Sequence, residues 1–117
     1  MLKDNPHGTY WDIPGGRIER GHTVDETLRK EVIKETGITQ VSDIEFFHAV
    51  IANIEIPTDQ GNIGLALHIY KVRIPENTEI KLSNKHTEYK WAEINEAAEL
   101  LKVKYPQEFT ARLNRQG

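Results

Sequence analysis

The chain has no cysteine, so it carries no disulfide framework and no thiolate metal site. It has no apolar run long enough to cross a membrane and no stretch that reads as a secretory leader, which makes a cytoplasmic protein with no membrane partner the expectation. It also lacks a strong charge of either sign: the formal net charge is −3, and lysines and arginines are scattered with no basic stripe interleaved with aromatics. That excludes general nucleic-acid binding as the expected role. Repeats, low-complexity tracts and linkers are missing as well. A length of 117 residues suits a single domain, residues 1–117, around one core.

What the chain does have is concentrated between Gly15 and Ile38, which reads GGRIERGHTVDETLRKEVIKETGI. Pro14-Gly15-Gly16 is a turn. Thr23 is a good N-cap, and Glu26 three residues later completes a capping box. Leu28 and Val32 are spaced to share one helix face, and Gly37 is placed to end the helix in a left-handed conformation. Glu31 and Glu35 share another face, one turn apart. Two carboxylates that close repel unless something positive lies between them. A hard divalent cation is a natural partner, since magnesium typically takes one or two protein carboxylates together with phosphate oxygens. The Gly-Gly turn can bring its backbone close to the same ion or to a phosphate, because neither residue has a Cβ. Acidic pairs at this spacing are also common on solvated faces, where Glu31 would pair with Lys30 or Lys34.

The stretch resembles the Nudix box, the signature of the Nudix hydrolases. That box runs Gly, five residues, Glu, seven residues, Arg-Glu-aliphatic, any residue, Glu-Glu, any residue, Gly-aliphatic. Gly16, Glu31, Val32, Glu35, Gly37 and Ile38 fall in register, as do the flanking Trp11 and the run Gly15, Gly16, Arg17, Ile18, Glu19. Three positions depart: His22 and Lys34 stand where the family has glutamates, and Lys30 stands where it has arginine. An ammonium at Lys34 cannot ligate a cation. Lys30 loses the planar fork that holds a carboxylate by two hydrogen bonds.

The resemblance implies magnesium- or manganese-dependent cleavage of a nucleoside diphosphate linked to another group, with a small-molecule nucleotide as substrate. Activity would be weakened by the departures. The alternative is a Nudix-fold nucleotide-binding or regulatory module without turnover. By the same resemblance, Glu31 and Glu35 are the catalytic pair and, with the Gly15 carbonyl, the metal ligands. Arg17, Glu19 and Glu88 are candidate substrate contacts. His86-Thr87-Glu88-Tyr89-Lys90-Trp91 is similar to a segment that often follows an acid in the family; here Lys85 holds that place, and His86 is a possible phosphate contact. Trp11, Phe46 and Phe47 are candidates for base stacking.

The rest of the chain reads as an α/β fold. Residues 3–8 look like a turn, although Met1-Leu2-Lys3 resembles the tail of an earlier strand. Tyr10 to Ile13 alternate like a short strand ending at Pro14. Ile44–Ile56, ended by Pro57, and Ile63–Ile74 read as two long strands around an Asp59-Gln60-Gly61 loop, the second apolar on both sides and so largely buried. Asn95 is placed to cap a helix over residues 96–102, and Pro106 suits the first turn of a last helix. The resemblance implies a Nudix-type α/β/α sandwich with a mixed sheet. Its N-terminal strand region looks shortened, and an upstream extension of about one hairpin is expected to stabilise the chain. A missing edge strand would favour a homodimer.

Overall fold

A computed structural model describes residues 2–5, 8–76, 78–83 and 86–116. The elements are β1 (Leu2–Asn5), β2 (Gly8–Trp11), α1 (Val24–Thr36), β3 (Ser42–Thr58), β4 (Gly61–Arg73), β5 (His86–Glu88), α2 (Ile94–Leu101) and α3 (Gln107–Asn114). This is an α/β chain. Among the described residues no helix is long and apolar enough to cross a membrane.

β1 lies between β2 and β5, antiparallel to both, with Leu2 opposite Trp11 on one side and Glu88 on the other. Lys3, Asp4 and Asn5 are therefore strand residues, not the turn their composition suggests. β2 supplies backbone partners for all three and β5 a second one for Lys3, which overrides the weak strand preference of Asp and Asn. Pro6 and His7 lie outside the described residues. β2 stops at Trp11, ahead of Asp12, instead of running to Pro14.

β3 and β4 form a separate antiparallel ribbon that turns at Thr58–Gly61, where Gly61 has φ 104°. Pro57 does not end β3. It sits in the ladder opposite Asn62. A two-stranded ribbon has a free outer edge on each strand, so a residue without an N–H is accepted there. Every described strand pair is antiparallel, where the resemblance implied a mixed sheet. Connections as short as those from β1 to β2 and from β3 to β4 allow no other pairing, since parallel neighbours need a long crossover.

Two clusters form the core. Phe47, Val50 and Ile69 of the ribbon pack with Leu101, Tyr105 and Phe109 from α2, α3 and their link, and Trp11, Ile13, Leu67 and Leu113 close around them. Val32 of α1 packs with Ile38 and Val41, joined by Ile44, Ile74 and Ile80. Helices thus bear on the strands through both clusters. β4 is less buried than its apolar composition implies. Ile69 faces the helices, but Ile63 is 50% and Val72 38% exposed. Adjacent phenylalanines of β3 point to opposite sides, Phe47 into the core and Phe46 outward, next to a register shift between Phe46 and His48.

α2 starts two residues earlier than its composition suggests. Its N-cap is Glu93, whose carbonyl accepts from the N–H of Ala97, and Asn95 lies in the first turn. Pro106 is the N-cap of α3 and precedes its first turn. Asn53 of β3 ties the α2–α3 link down: its Nδ2 donates to the carbonyls of Lys102, Val103 and Tyr105, and its backbone N–H donates to that of Lys104 at 2.6 Å.

Candidate active site

α1 begins and ends as its sequence dictates. The Thr23 hydroxyl accepts from the N–H of Glu26 at 3.1 Å, and Glu26 returns the contact through its carboxylate. Gly37 closes the helix with φ 76°, its N–H donating to the carbonyl of Ile33 at 2.8 Å. The next carbonyls are met from outside the helix, that of Glu35 by the N–H of Ser83 and that of Thr36 by the N–H of Lys81. Thr27, Val32 and Thr36 are the buried residues of α1, with Leu28 half-buried beside them. This narrow apolar stripe leaves the face bearing Glu31 and Glu35 turned toward the Pro14-Gly15-Gly16 loop.

There the two carboxylates meet the glycine backbone. Glu35 Oε2 accepts from the N–H of Gly15 at 2.7 Å. The Glu31 carboxylate lies against Gly16 so closely that a Cβ at that residue would stand 2.4 Å from Glu31 Cδ. Among the described residues Glu31 makes no ion pair, so the alternative of pairing with Lys30 or Lys34 is not realised. Both glutamates are half-buried at the loop, and their carboxylates offer hard oxygen donors. That set suits a divalent cation whose remaining positions are filled by water or phosphate oxygens. It is a two-carboxylate set: among the described residues no three His, Cys, Asp or Glu side chains come together closely enough to hold a metal.

The other residues singled out in the sequence divide. Lys34 and His22 are exposed. Lys30 reaches Glu19 at 3.6 Å, so Glu19 is engaged by α1 across the loop. Arg17 is exposed on the same loop, and Glu88 is exposed in β5, on the far side of β1 from β2. Lys85 and the side chain of His86 lie outside the described residues. Of the aromatic candidates, Phe47 is core, Trp11 packs against the core, and Phe46 stands 52% exposed beside His68 and Tyr70.

The arrangement can hold a cation against two carboxylates and a glycine turn. A family model described as the NUDIX domain matches residues 1–113. The chain belongs to the Nudix family. Two curated proteins are similar over most of it. An octanoyltransferase of Myxococcus xanthus is 26% identical over 97 residues, covering 80% of this chain and 26% of that protein. An asymmetrical bis(5'-nucleosyl)-tetraphosphatase of Mus musculus is 29% identical over 97 residues, covering 81% of this chain and 63% of that protein. The Nudix chain thus spans less than two thirds of either relative, and the two are named for different chemistries.

Sequence reasoning passed over one charged group near this Nudix site. Asp12 is 7% exposed, three residues before Gly15. Its Oδ2 accepts from Lys104 Nζ at 2.6 Å, and its Oδ1 accepts from the Tyr105 hydroxyl at 2.7 Å and from the N–H of Ile13 at 2.8 Å. Burial, together with the Asp12 charge, pushes the Tyr105 phenol far above its ordinary range, so it stays a donor. The available signal was an acid set between Trp11 and Ile13, in a segment otherwise apolar enough to be core.

Proposed function

We propose that this Nudix chain hydrolyses the pyrophosphate bond of a nucleoside diphosphate linked to another group, as a small-molecule nucleotide enzyme of reduced turnover. The observation that carries the reading is the approach of Glu31 and Glu35 to the Gly15-Gly16 turn, with Glu35 held by the Gly15 N–H. The family match and the tetraphosphatase relative support it. Glu31, Glu35 and the Gly15 carbonyl would hold magnesium or manganese. When bound, the ion would neutralise phosphoryl charge and lower the pKa of the attacking water.

The chain's own residues do the rest. The Gly15 N–H fixes the direction of the Glu35 carboxylate. Glu31 serves as ligand or as the base that takes the water proton. Arg17, exposed on the loop, offers a guanidinium to phosphate oxygens, and Glu19 sets the position of Lys30. Glu88 is assigned to the substrate side on the family pattern alone. Lys34 puts a cation on the catalytic helix where the family carries a glutamate.

A second reading, a Nudix-fold nucleotide-binding module without turnover, is favoured by Lys34 and by the absence of a three-acid cluster among the described residues. Phosphate release from a mixed nucleotide panel during a magnesium titration separates the two. Metal ions supply several kcal/mol in such reactions, and about 1.4 kcal/mol is tenfold in rate. Lys34→Glu should therefore raise a measurable, magnesium-dependent rate by about ten- to a thousandfold. Nucleotide binding with no release by either protein would establish the binding module. A fast native enzyme indifferent to Lys34→Glu would mean another acid completes the site. We also propose a homodimer, with Phe46, Ile51 and Val72 on the outward face of the β3–β4 ribbon as its contact.

A further inference from the structure

We infer that Asp12 is a positioning residue for the active site: clamped by Lys104 and Tyr105, it sets where the Gly15 N–H stands and thereby directs the Glu35 carboxylate. The inference rests on the reading of Glu35 as a metal ligand, but its geometric part is independent of any metal.

The connection can be followed through short links. Lys104 and Tyr105 belong to the segment between α2 and α3, which Asn53 fastens to β3 and whose Tyr105 ring is in the main core. Two polar bonds run from that segment to Asp12, at 2.6 and 2.7 Å. Asp12 also accepts the Ile13 N–H at 2.8 Å, which fixes the backbone direction as it leaves the carboxylate. Pro14 then restricts φ, and Gly15 follows with its N–H on Glu35 at 2.7 Å. Apart from that bond, Gly15 stands in open space on its side-chain side: no atom lies within 4 Å of the place its Cβ would occupy. An exposed glycine in open space keeps one orientation only if the residues before it are anchored. Asp12 is the residue before it anchored by directional polar bonds, next to Ile13, which packs against the core.

The charges support a role of this kind. The side chains of Lys104 and Asp12 are 12% and 9% exposed. Taking both charges out of water is costly, and apolar residues of similar volume often serve stability as well or better. Such a pair imposes direction, which an apolar contact does not. Glu31 and Glu35 sit on a different element from this clamp, so the Asp12 loop is what brings the two halves of the site into register.

The test uses the whole chain, isotope-labelled and free of metal, with hydrogen exchange and chemical shift of the Gly15 amide as the readout. Asp12→Asn with Lys104→Met removes both charges together and leaves neither buried alone. Gly15 should exchange about tenfold faster or more and its amide shift should move, while the Val50 and Ile69 amides keep their protection. Manganese affinity should fall by about tenfold in parallel. An unchanged Gly15 amide in the folded double variant overturns the inference, as does acceleration of Gly15, Val50 and Ile69 by one common factor, which would mark a purely structural ion pair. If the double variant does not fold, Tyr105→Phe decides: it keeps the ring in the core and removes one donor, and faster Gly15 exchange supports positioning while unchanged exchange refutes it. Absence of manganese binding by the native chain would sink the proposed function, yet the Gly15 readout would still decide the role of Asp12.

Discussion

Gly15 and Gly16 look equivalent in sequence and are not equivalent in space. A methyl group at Gly16 would meet the far end of Glu31, at 2.4 Å from Cδ, whereas one at Gly15 meets nothing within 4 Å. The Glu31 side chain is flexible, so the fold can accept Gly16→Ala by swinging the carboxylate away. Gly16→Ala should therefore melt close to the native chain but lose about tenfold or more in manganese affinity, a loss comparable to one displaced charged contact. Gly15→Ala should lose clearly less. Manganese titration by water-proton relaxation checks the contrast, and equal losses in the two variants would rule it out. The spacing of Glu31 and Glu35 already pointed to a shared face. Which glycine each carboxylate approaches depends on how the loop is held, and the loop is held by residues about ninety positions away.

At the scale of elements, α1 shows how far local chemistry reaches. Its capping box and its left-handed terminal glycine are satisfied within a few residues of chain, so its ends follow from sequence alone. Thr23→Ala should cost about 0.5–2 kcal/mol of stability. Gly37→Ala should cost about 1–2 kcal/mol, because φ 76° places a Cβ against the neighbouring carbonyl, and the new atom would also press on Lys81 Cβ at 3.2 Å. Urea midpoints of the two variants measure both effects, and an unshifted midpoint for Gly37→Ala would contradict the observed helix end. Where partners lie outside the element, sequence is a poorer guide. Pro57 reads as a strand terminator only if a neighbour needs its N–H, and among the described residues no third strand pairs with the ribbon. Lys3–Asn5 read as a turn only if they lack strand neighbours, and β2 and β5 provide them. Asn95 is as good a cap in sequence as many, but α2 begins before it.

At the scale of the molecule, the Asp12–Lys104–Tyr105 cluster joins the first part of the chain to the last. Burial first, and the Asp12 charge second, raise the folded-state pKa of the Tyr105 phenol. The sign of the pH effect follows. In the unfolded chain the phenol ionises near pH 10. In the folded chain it stays protonated above that pH, so the unfolded state binds fewer protons and stability falls as pH rises through about 10. Tyr105→Phe should be less stable than the native chain at neutral pH, and the gap should narrow above about pH 10, where only the native chain loses this contribution. Urea denaturation of both at several pH values up to about 11 provides the measurement; a constant gap would show that Tyr105 does not keep its proton.

The sequence by itself determined whatever depends on spacing along one element: the limits of α1, the common face of Glu31 and Glu35, the glycine turn before them and the box register that marks a Nudix chain. These are properties of helix period, cap chemistry and glycine freedom, and they need no distant partner. Tertiary structure alone decided which face of the β3–β4 ribbon is covered, that Phe47 and not Phe46 enters the core, and that Asp12 is paired instead of solvated. Each of those depends on contacts between segments far apart in the chain. A buried charge or an open strand edge has no local signature, because its cost is set by what the rest of the fold places beside it.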